Sequence, residues 1–172
     1  MNRLWAPWRK AYIRPSQKRR VGCIFCAAVR QQKDKINLIV CRSRHSFVIL
    51  NKFPYNNGHL MIVPNRHVSS LSLLSAEEKV DVLDLMDKML AVIRRAMKAQ
   101  GFNIGINMGR IAGAGIPGHV HIHIVPRWKG DVNFMPVLGD AKVISESLYS
   151  AYETFAAELL KGNKRKITAK RK

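Results

Sequence analysis

Apolar and polar positions along the chain form short alternating runs that predict strands. These runs lie at Ile36–Cys41, His45–Asn51 and His59–Val63. The segment 52–58 between the last two contains proline and an Asn-Asn-Gly sequence, which suits a turn between antiparallel strands. The pattern therefore predicts a hairpin.

A long amphipathic helix is predicted after the hairpin. Ser75-Ala76-Glu77-Glu78 fits a capping box, and Gly101 ends the pattern. The apolar residues at helical spacing are Val80, Leu83, Met86, Leu90, Ile93 and Met97. Strands at Phe102–Asn107 and His119–Val125 and a last helix at about Ser145–Leu160 follow. This order predicts an α+β fold, an antiparallel sheet with its helices packed on one face.

The positive charge of the chain is concentrated at its two ends. Its 172 residues, 47% hydrophobic, suffice for one domain. We divide the chain into a basic segment 1–20, a domain 21–160 and a basic tail 161–172. Each basic segment holds seven Lys or Arg and no acidic residue, whereas the other 140 residues hold 16 basic and 11 acidic residues, a net charge of +5. Nucleic acid is therefore expected only as a secondary partner, through the tails.

The apolar runs are too short for a membrane-spanning helix. They fall far below the roughly 18 residues of a membrane span. The first residues also lack the apolar centre of a signal peptide. We therefore expect a soluble, cytoplasmic protein.

Three histidines alternate along one predicted strand. His119, His121 and His123 would project from one face, and the valine and isoleucines between them from the other. One interpretation is a polar strand face without chemistry, and another is three ligands of one metal. Alternate strand residues are roughly 6 to 7 Å apart, so the outer imidazoles converge poorly on one ion. A nucleophilic His121 is the better interpretation.

The loop before this strand has the composition of an anion-binding segment. Residues 109–118 include Gly109, Gly113, Gly115 and Gly118. Glycines allow backbone N–H groups to turn inward around an anion such as phosphate. Asn107, at the end of the preceding strand, adds a neutral amide donor.

These residues together resemble the histidine-triad superfamily of nucleotide hydrolases and nucleotidyl transferases. The sequence His-Val-His-Ile-His-Ile-Val-Pro-Arg over 119–127 is highly specific, and the resemblance covers about residues 21–150. The segments 54–59, 126–128 and 130–134 are most similar to the bacterial branch of diadenosine polyphosphate phosphorylases and hydrolases. The resemblance implies a homodimeric enzyme that cleaves dinucleoside polyphosphates at the α-phosphate.

The resemblance also implies a role for each site residue. His121 would form a covalent nucleotidyl-histidine, while His123 and Asn107 would bind phosphate oxygens. Asn51 would hold the ribose, and apolar side chains would line the base. Those apolar residues are Ile49 and Met61, and the expected supporting residues are His59, Gly113, Gly115 and Gly118. Residues 115–118 lack the polar side chain that several family members have there, so backbone donors would replace it.

Cys23 and Cys26 form a C-x-x-C, which has the spacing for two ligands of one tetrahedral ion. In zinc-containing histidine-triad relatives the other two ligands correspond to His67 and His119. The resemblance thus implies a structural zinc, with a redox dithiol or two buried thiols as alternatives. Cys41 lies in a strand pattern and is expected in the core.

Two other functions are consistent with the same residues. The chain could be a nucleic-acid-associated module that acts on adenylylated ends or only binds nucleotide. It could also be a zinc-stabilised scaffold without catalysis. The sequence does not distinguish water from phosphate as the acceptor.

Overall fold

The computed structural model describes residues 22–131, 144 and 146–169, with side chains to residue 162. The helices are α1 (Ile24–Gln31), α2 (Asp34–Asn37), α3 (Ala76–Met97) and α4 (Leu148–Ala169), with a 3-10 turn at Leu71–Leu73. The strands are β1 (Ile39–Arg42), β2 (Ser46–Leu50), β3 (Leu60–Pro64), β4 (Gly101–Ile106) and β5 (Ile122–Arg127). The basic segment 1–20 lies outside the described residues. Within the described part of the chain, no helix has the length and apolar content to cross a membrane.

The five strands form one antiparallel sheet in the order β1-β2-β3-β5-β4. Its register aligns residues from four strands in one row. Ile49 pairs with Met61, Met61 with His123, and His123 with Gly105. The sheet thereby brings two predicted base-lining residues beside a triad histidine.

The two faces of the sheet have different roles. Met89 of α3 and Phe155 of α4 pack in one apolar cluster with Ile62 and Ile124. On the opposite face, Phe25 of α1 packs with the odd-numbered residues of β2 and β3. Because side chains alternate along a strand, His123 of β5 also lies on this second face. The His121 ring, just before β5, packs 5.1 Å from the Phe25 ring on the same side. The α+β fold with two long helices is confirmed, but α1 and its packing on the opposite face were not predicted.

The capping box of α3 is formed as predicted. The Ser75 hydroxyl accepts from the Glu78 N–H at 3.2 Å, and the Glu78 carboxylate accepts from the Ser75 N–H at 2.8 Å. The predicted apolar face was partly wrong, because Val80 and Leu83 are 57% and 54% exposed. They lie about 180° and 120° around the helix from the fully buried Met89. Apolar residues lie on more than one face of this helix, so their spacing was consistent with two overlapping choices of buried face. The prediction was right for Ile93, which is buried, and the other buried apolar residues are Val82, Leu85, Met89 and Val92.

Several predicted boundaries also shift. The run predicted to be a strand from Ile36 begins as the short helix α2, and Leu38 at φ +61° turns the chain into β1. The last helix begins at Leu148 rather than about residue 145 and extends past residue 160. His119 and His121 precede β5, which starts at Ile122.

The turn between β2 and β3 packs closely on both long helices. Gly58 has φ +67°, and a Cβ there would lie 2.6 Å from the Met97 sulfur and 3.1 Å from the Phe155 ring. A side chain has no room at this position, and L-residues rarely adopt such a backbone conformation. The two helices therefore fix the turn that leads into His59.

Candidate active site and metal centre

A cavity lies on the α1 face of the sheet, beside the glycine-containing loop. It encloses about 840 Å³, a volume that includes its open mouth. The predicted site residues that line it are Ile49, Asn51, Met61, Asn107, Gly113, Gly115, His121 and His123. Seven more lining residues were not predicted from the sequence, namely Ile24, Phe25, Leu50, Lys52, Phe53, Tyr55 and Ile116.

Three residues of the predicted triad and substrate site lie outside the cavity lining. His59 is fully buried and contacts His123. His119 is fully buried within the cysteine and histidine cluster described below. A Cβ on Gly118 would lie 3.4 Å from His67, so this glycine borders that cluster rather than the cavity. The predicted substrate role of Gly118 is not supported by this position.

The hydrogen bond of His121 determines which ring nitrogen can react. Its Nδ1 lies 2.9 Å from the main-chain oxygen of His119, and a carbonyl oxygen only accepts. Nδ1 therefore carries the proton, and Nε2 keeps its lone pair. Burial lowers the pKa of His121, which keeps the ring neutral near pH 7. The ring thus has the protonation state of a nucleophile.

A chain of hydrogen bonds fixes the tautomer of His123. The Tyr55 N–H donates to His59 Nδ1 at 3.0 Å, so the proton of neutral His59 is on Nε2. His59 Nε2 then donates to His123 Nδ1 at 2.9 Å. This leaves the His123 proton on Nε2. The two rings of His121 and His123 have centroids 4.9 Å apart, so this donor lies next to the nucleophile.

The buried His59 predicts a specific loss of stability in acid. Burial, followed by the neighbouring His123 and His121, lowers the pKa of His59 from 6.5 to about 3. The unfolded chain then binds more protons than the folded chain between these values, so stability falls as the pH drops below 6.5. We expect His59 to account for a loss on the order of 2 kcal/mol between pH 7 and 5.

Urea unfolding of the wild type and His59→Gln at both pH values checks this prediction. Acid effects on other groups are common to both proteins and cancel in the comparison. The variant should lose less stability on acidification by roughly that amount. Equal losses in the wild type and His59→Gln would contradict the prediction.

Asn51 is held at both ends of its side-chain amide. Its Oδ1 accepts from the Phe53 N–H at 3.0 Å, and its Nδ2 lies 3.3 Å from His59 Nδ1. Asn51 therefore organises the turn and supports the tautomer of His59 as well as lining the cavity.

The glycine-containing loop uses some of its N–H groups internally. The Gly113 N–H donates to the Arg110 carbonyl at 3.0 Å, and the Ala114 N–H donates to the Gly109 carbonyl at 3.2 Å. These two bonds fold the loop into tight turns, with Gly113 at φ +88°. The N–H groups of Gly113 and Ala114 are therefore not among the predicted inward-facing donors to an anion.

Cys23, Cys26, His67 and His119 converge in a separate cluster. Their ligand atoms all lie within 4.8 Å of one another. His119 Nδ1 is 3.3 Å from the Cys23 sulfur and 3.2 Å from His67 Nδ1, and the Cys26 sulfur is 3.4 Å from His67 Nδ1. Ligands of a tetrahedral zinc are separated by about 3.3 to 3.8 Å, given its usual bond lengths. The cluster therefore has the donors and the spacing of a closed Cys2His2 site.

His119 connects this cluster to the nucleophile. Its Nε2 donates to the Pro64 carbonyl at 2.8 Å, which leaves the Nδ1 lone pair directed at the cluster. Its own carbonyl accepts from His121. Phe25, between the two cysteines, packs its ring 5.4 Å from His119 and 5.1 Å from His121. The cluster and the candidate nucleophile thus share one rigid segment.

Comparison with protein families gives the same assignment as the motif. The model of the HIT domain, the histidine-triad domain, matches residues 32–130. The chain belongs to the HIT-domain family. Its predicted family resemblance is confirmed.

Relatives of this HIT chain include enzymes of dinucleoside polyphosphate metabolism. It is 35% identical over 164 residues to a protein named AP-4-A phosphorylase from Mycobacterium tuberculosis H37Rv, covering 92% of this chain and 84% of the relative. It is 38% identical over 90 residues to the asymmetrical bis(5'-nucleosyl)-tetraphosphatase of Schizosaccharomyces pombe, covering 52% and 49% of the two chains. The resemblance to this branch of the family is therefore also confirmed.

Solved structures confirm the fold. A Zn-bound histidine-triad family protein from Mycobacterium smegmatis superimposes with a TM-score of 0.68 at 23% identity, covering 84% of this chain and 97% of that chain.

Proposed function

We propose that this HIT protein cleaves dinucleoside polyphosphates at the α-phosphate, through a nucleotidyl intermediate on His121. The observation that carries the proposal is the hydrogen bond from His121 Nδ1 to the His119 carbonyl, which directs reactivity to Nε2 beside the cavity. The names of the two relatives support the same substrate class.

In the first step, Nε2 of His121 bonds to the α-phosphorus. The bond from that phosphorus to the bridging oxygen breaks, and the nucleoside polyphosphate leaves with the electron pair. The second ionisation of a phosphate lies near pH 6, so this leaving group needs less help from a general acid than an amine would. The Nδ1 proton stays on the ring, where the His119 carbonyl stabilises the positive charge that develops on the imidazole.

Neutral donors hold the reacting phosphate. His123 Nε2–H and the Asn107 amide would bind its oxygens, with backbone donors near Gly115 in place of the missing polar side chain. Ile49 and Met61 would contact the base. Asn51 would bind the ribose with the N–H and the oxygen lone pair of its side-chain amide that the turn does not use.

We further propose that phosphate is the acceptor in the second step. A phosphate oxygen would bond to the α-phosphorus, the P–N bond would break, and ADP would leave with His121 restored. The phosphorylase relative supports this choice because it aligns over 92% of the chain.

Product analysis distinguishes phosphate from water. With diadenosine tetraphosphate and excess phosphate, chromatography should detect ADP and ATP in equal amounts. The alternative hydrolase would give AMP and ATP at the same rate with or without phosphate. Absence of all three products would contradict the proposed function itself.

The Cys23, Cys26, His67 and His119 cluster is proposed to hold zinc. With all four positions filled by protein, zinc there would stiffen the site and would not activate water. Zinc in the M. smegmatis structure supports this proposal.

We also propose a homodimer. β4 is an edge strand of the sheet in the described chain, and Ile104 on it is 46% exposed. Contact between the basic tails and nucleic acid stays a prediction, because residues 1–21 and the side chains after 162 lie outside the described part.

A further inference from the structure

The turn that follows β2 borders the mouth of the cavity. Lys52, Phe53 and Tyr55 all line the same cavity as His121. The two hydrogen bonds of the Asn51 amide and the close packing of Gly58 hold this turn in place. Its side chains are therefore presented from a fixed backbone.

Lys52 has the only formally charged side chain among the described residues that line the cavity. The others are apolar, glycine, asparagine, tyrosine or histidine. A dinucleoside tetraphosphate carries about four negative charges, since each bridging phosphate is ionised near pH 7. In the proposed function, neutral groups hold the α-phosphate. Among the described lining residues, Lys52 is then the cation available to the remaining phosphates.

Phe53 and Tyr55 differ in what their rings contact. The Tyr55 ring packs 4.7 Å from His59 and 6.0 Å from His123, so it covers the buried histidine pair. Phe53 is 52% exposed at the cavity mouth. An exposed aromatic ring beside a cation is suited to stack with a nucleobase whose phosphates the cation binds.

We infer that Lys52 and Phe53 form a subsite for the part of the substrate beyond the α-phosphate. Lys52 binds the further phosphates, and Phe53 stacks on the second base. This inference rests on the proposed function and adds the groups that select dinucleoside polyphosphates over mononucleotides.

Three nucleotides distinguish phosphate binding by Lys52 from base stacking by Phe53. Diadenosine tetraphosphate has further phosphates and a second base, adenosine tetraphosphate lacks the second base, and AMP lacks both. Lys52→Gln should lower kcat/KM for both tetraphosphates about tenfold or more, while leaving the Kd of AMP within about twofold. Phe53→Ala should lower kcat/KM about tenfold for diadenosine tetraphosphate alone. The matched controls are Lys79→Gln and Leu73→Ala, which alter exposed residues outside the cavity lining.

The outcomes separate this inference from the proposed function. A wild type that cleaves neither tetraphosphate would overturn the proposed function. An active wild type with Lys52→Gln and Phe53→Ala indistinguishable from their controls would overturn the subsite alone. Equal weakening of AMP and the tetraphosphates by Lys52→Gln would also overturn it, since Lys52 would then act at the nucleoside or the α-phosphate.

Discussion

His121→Asn is expected to lower the turnover of diadenosine tetraphosphate by a factor on the order of 10⁴ or more, as loss of a nucleophile does in other enzymes. The substitution removes Nε2, the only lone pair on that ring that the hydrogen bond to His119 leaves available. Substrate binding should persist, because the base, ribose and phosphate contacts are unchanged. Nucleotide chromatography measures the rate, and calorimetry measures the affinity for AMP.

His45→Asn is the matched control for this variant, since His45 lies outside the cavity lining and should tolerate the change. A second measurement identifies the reacting atom. Wild-type enzyme quenched in base during turnover and digested should yield a peptide in which His121 carries the nucleotide. A His121→Asn enzyme with more than a tenth of the wild-type rate, or an adduct on another residue, would rule out the covalent step at this ring.

Loss of the proposed zinc is expected to have the second large effect. Native mass spectrometry should find one zinc per chain, and Cys26→Ser should abolish it. Structural zinc can contribute roughly 10 kcal/mol to folding, so this variant should unfold at a much lower temperature or urea concentration. Its turnover should also fall, because the carbonyl that orients His121 belongs to a residue of the cluster.

Cys41→Ala supplies the control for the cysteine substitution. The Cys41 sulfur packs 3.9 Å from the Met89 sulfur on the opposite face of the sheet, away from the cluster. This variant should keep its zinc. A wild-type protein that contains no metal and has Cys23 and Cys26 as free thiols would contradict the proposed centre.

Local sequence patterns predicted the parts of this molecule that depend on local geometry. The period of two placed His121 and His123 on one face, and the Ser75 and Glu78 pair marked the start of α3, because both depend on residues near in sequence. The motif supplied the four cluster residues only through the family resemblance. The C-x-x-C spacing by itself predicted only the two cysteines as ligands and did not identify the other two.

The missed residues depend on contacts between distant parts of the chain. Ile24 and Phe25 line the cavity because the cysteines on either side of them meet His119, 96 residues away from Cys23. Lys52 and Phe53 lay in a segment predicted only to be a turn. The apolar face of α3 was ambiguous for a different reason, since its sequence is apolar over more of the helix than the core covers.

The spread of the cluster along the chain has a consequence for biosynthesis. Its donors come from residues 23, 26, 67 and 119, so most of the polypeptide is made before the last donor leaves the ribosome. In the proposed zinc centre, the two cysteines would stay reduced and unmetallated, or hold zinc with incomplete ligation, for the whole of that interval. The candidate nucleophile His121 is synthesised only two residues after His119, so loading of the proposed zinc and assembly of the candidate active site would fall in the same late stage of translation.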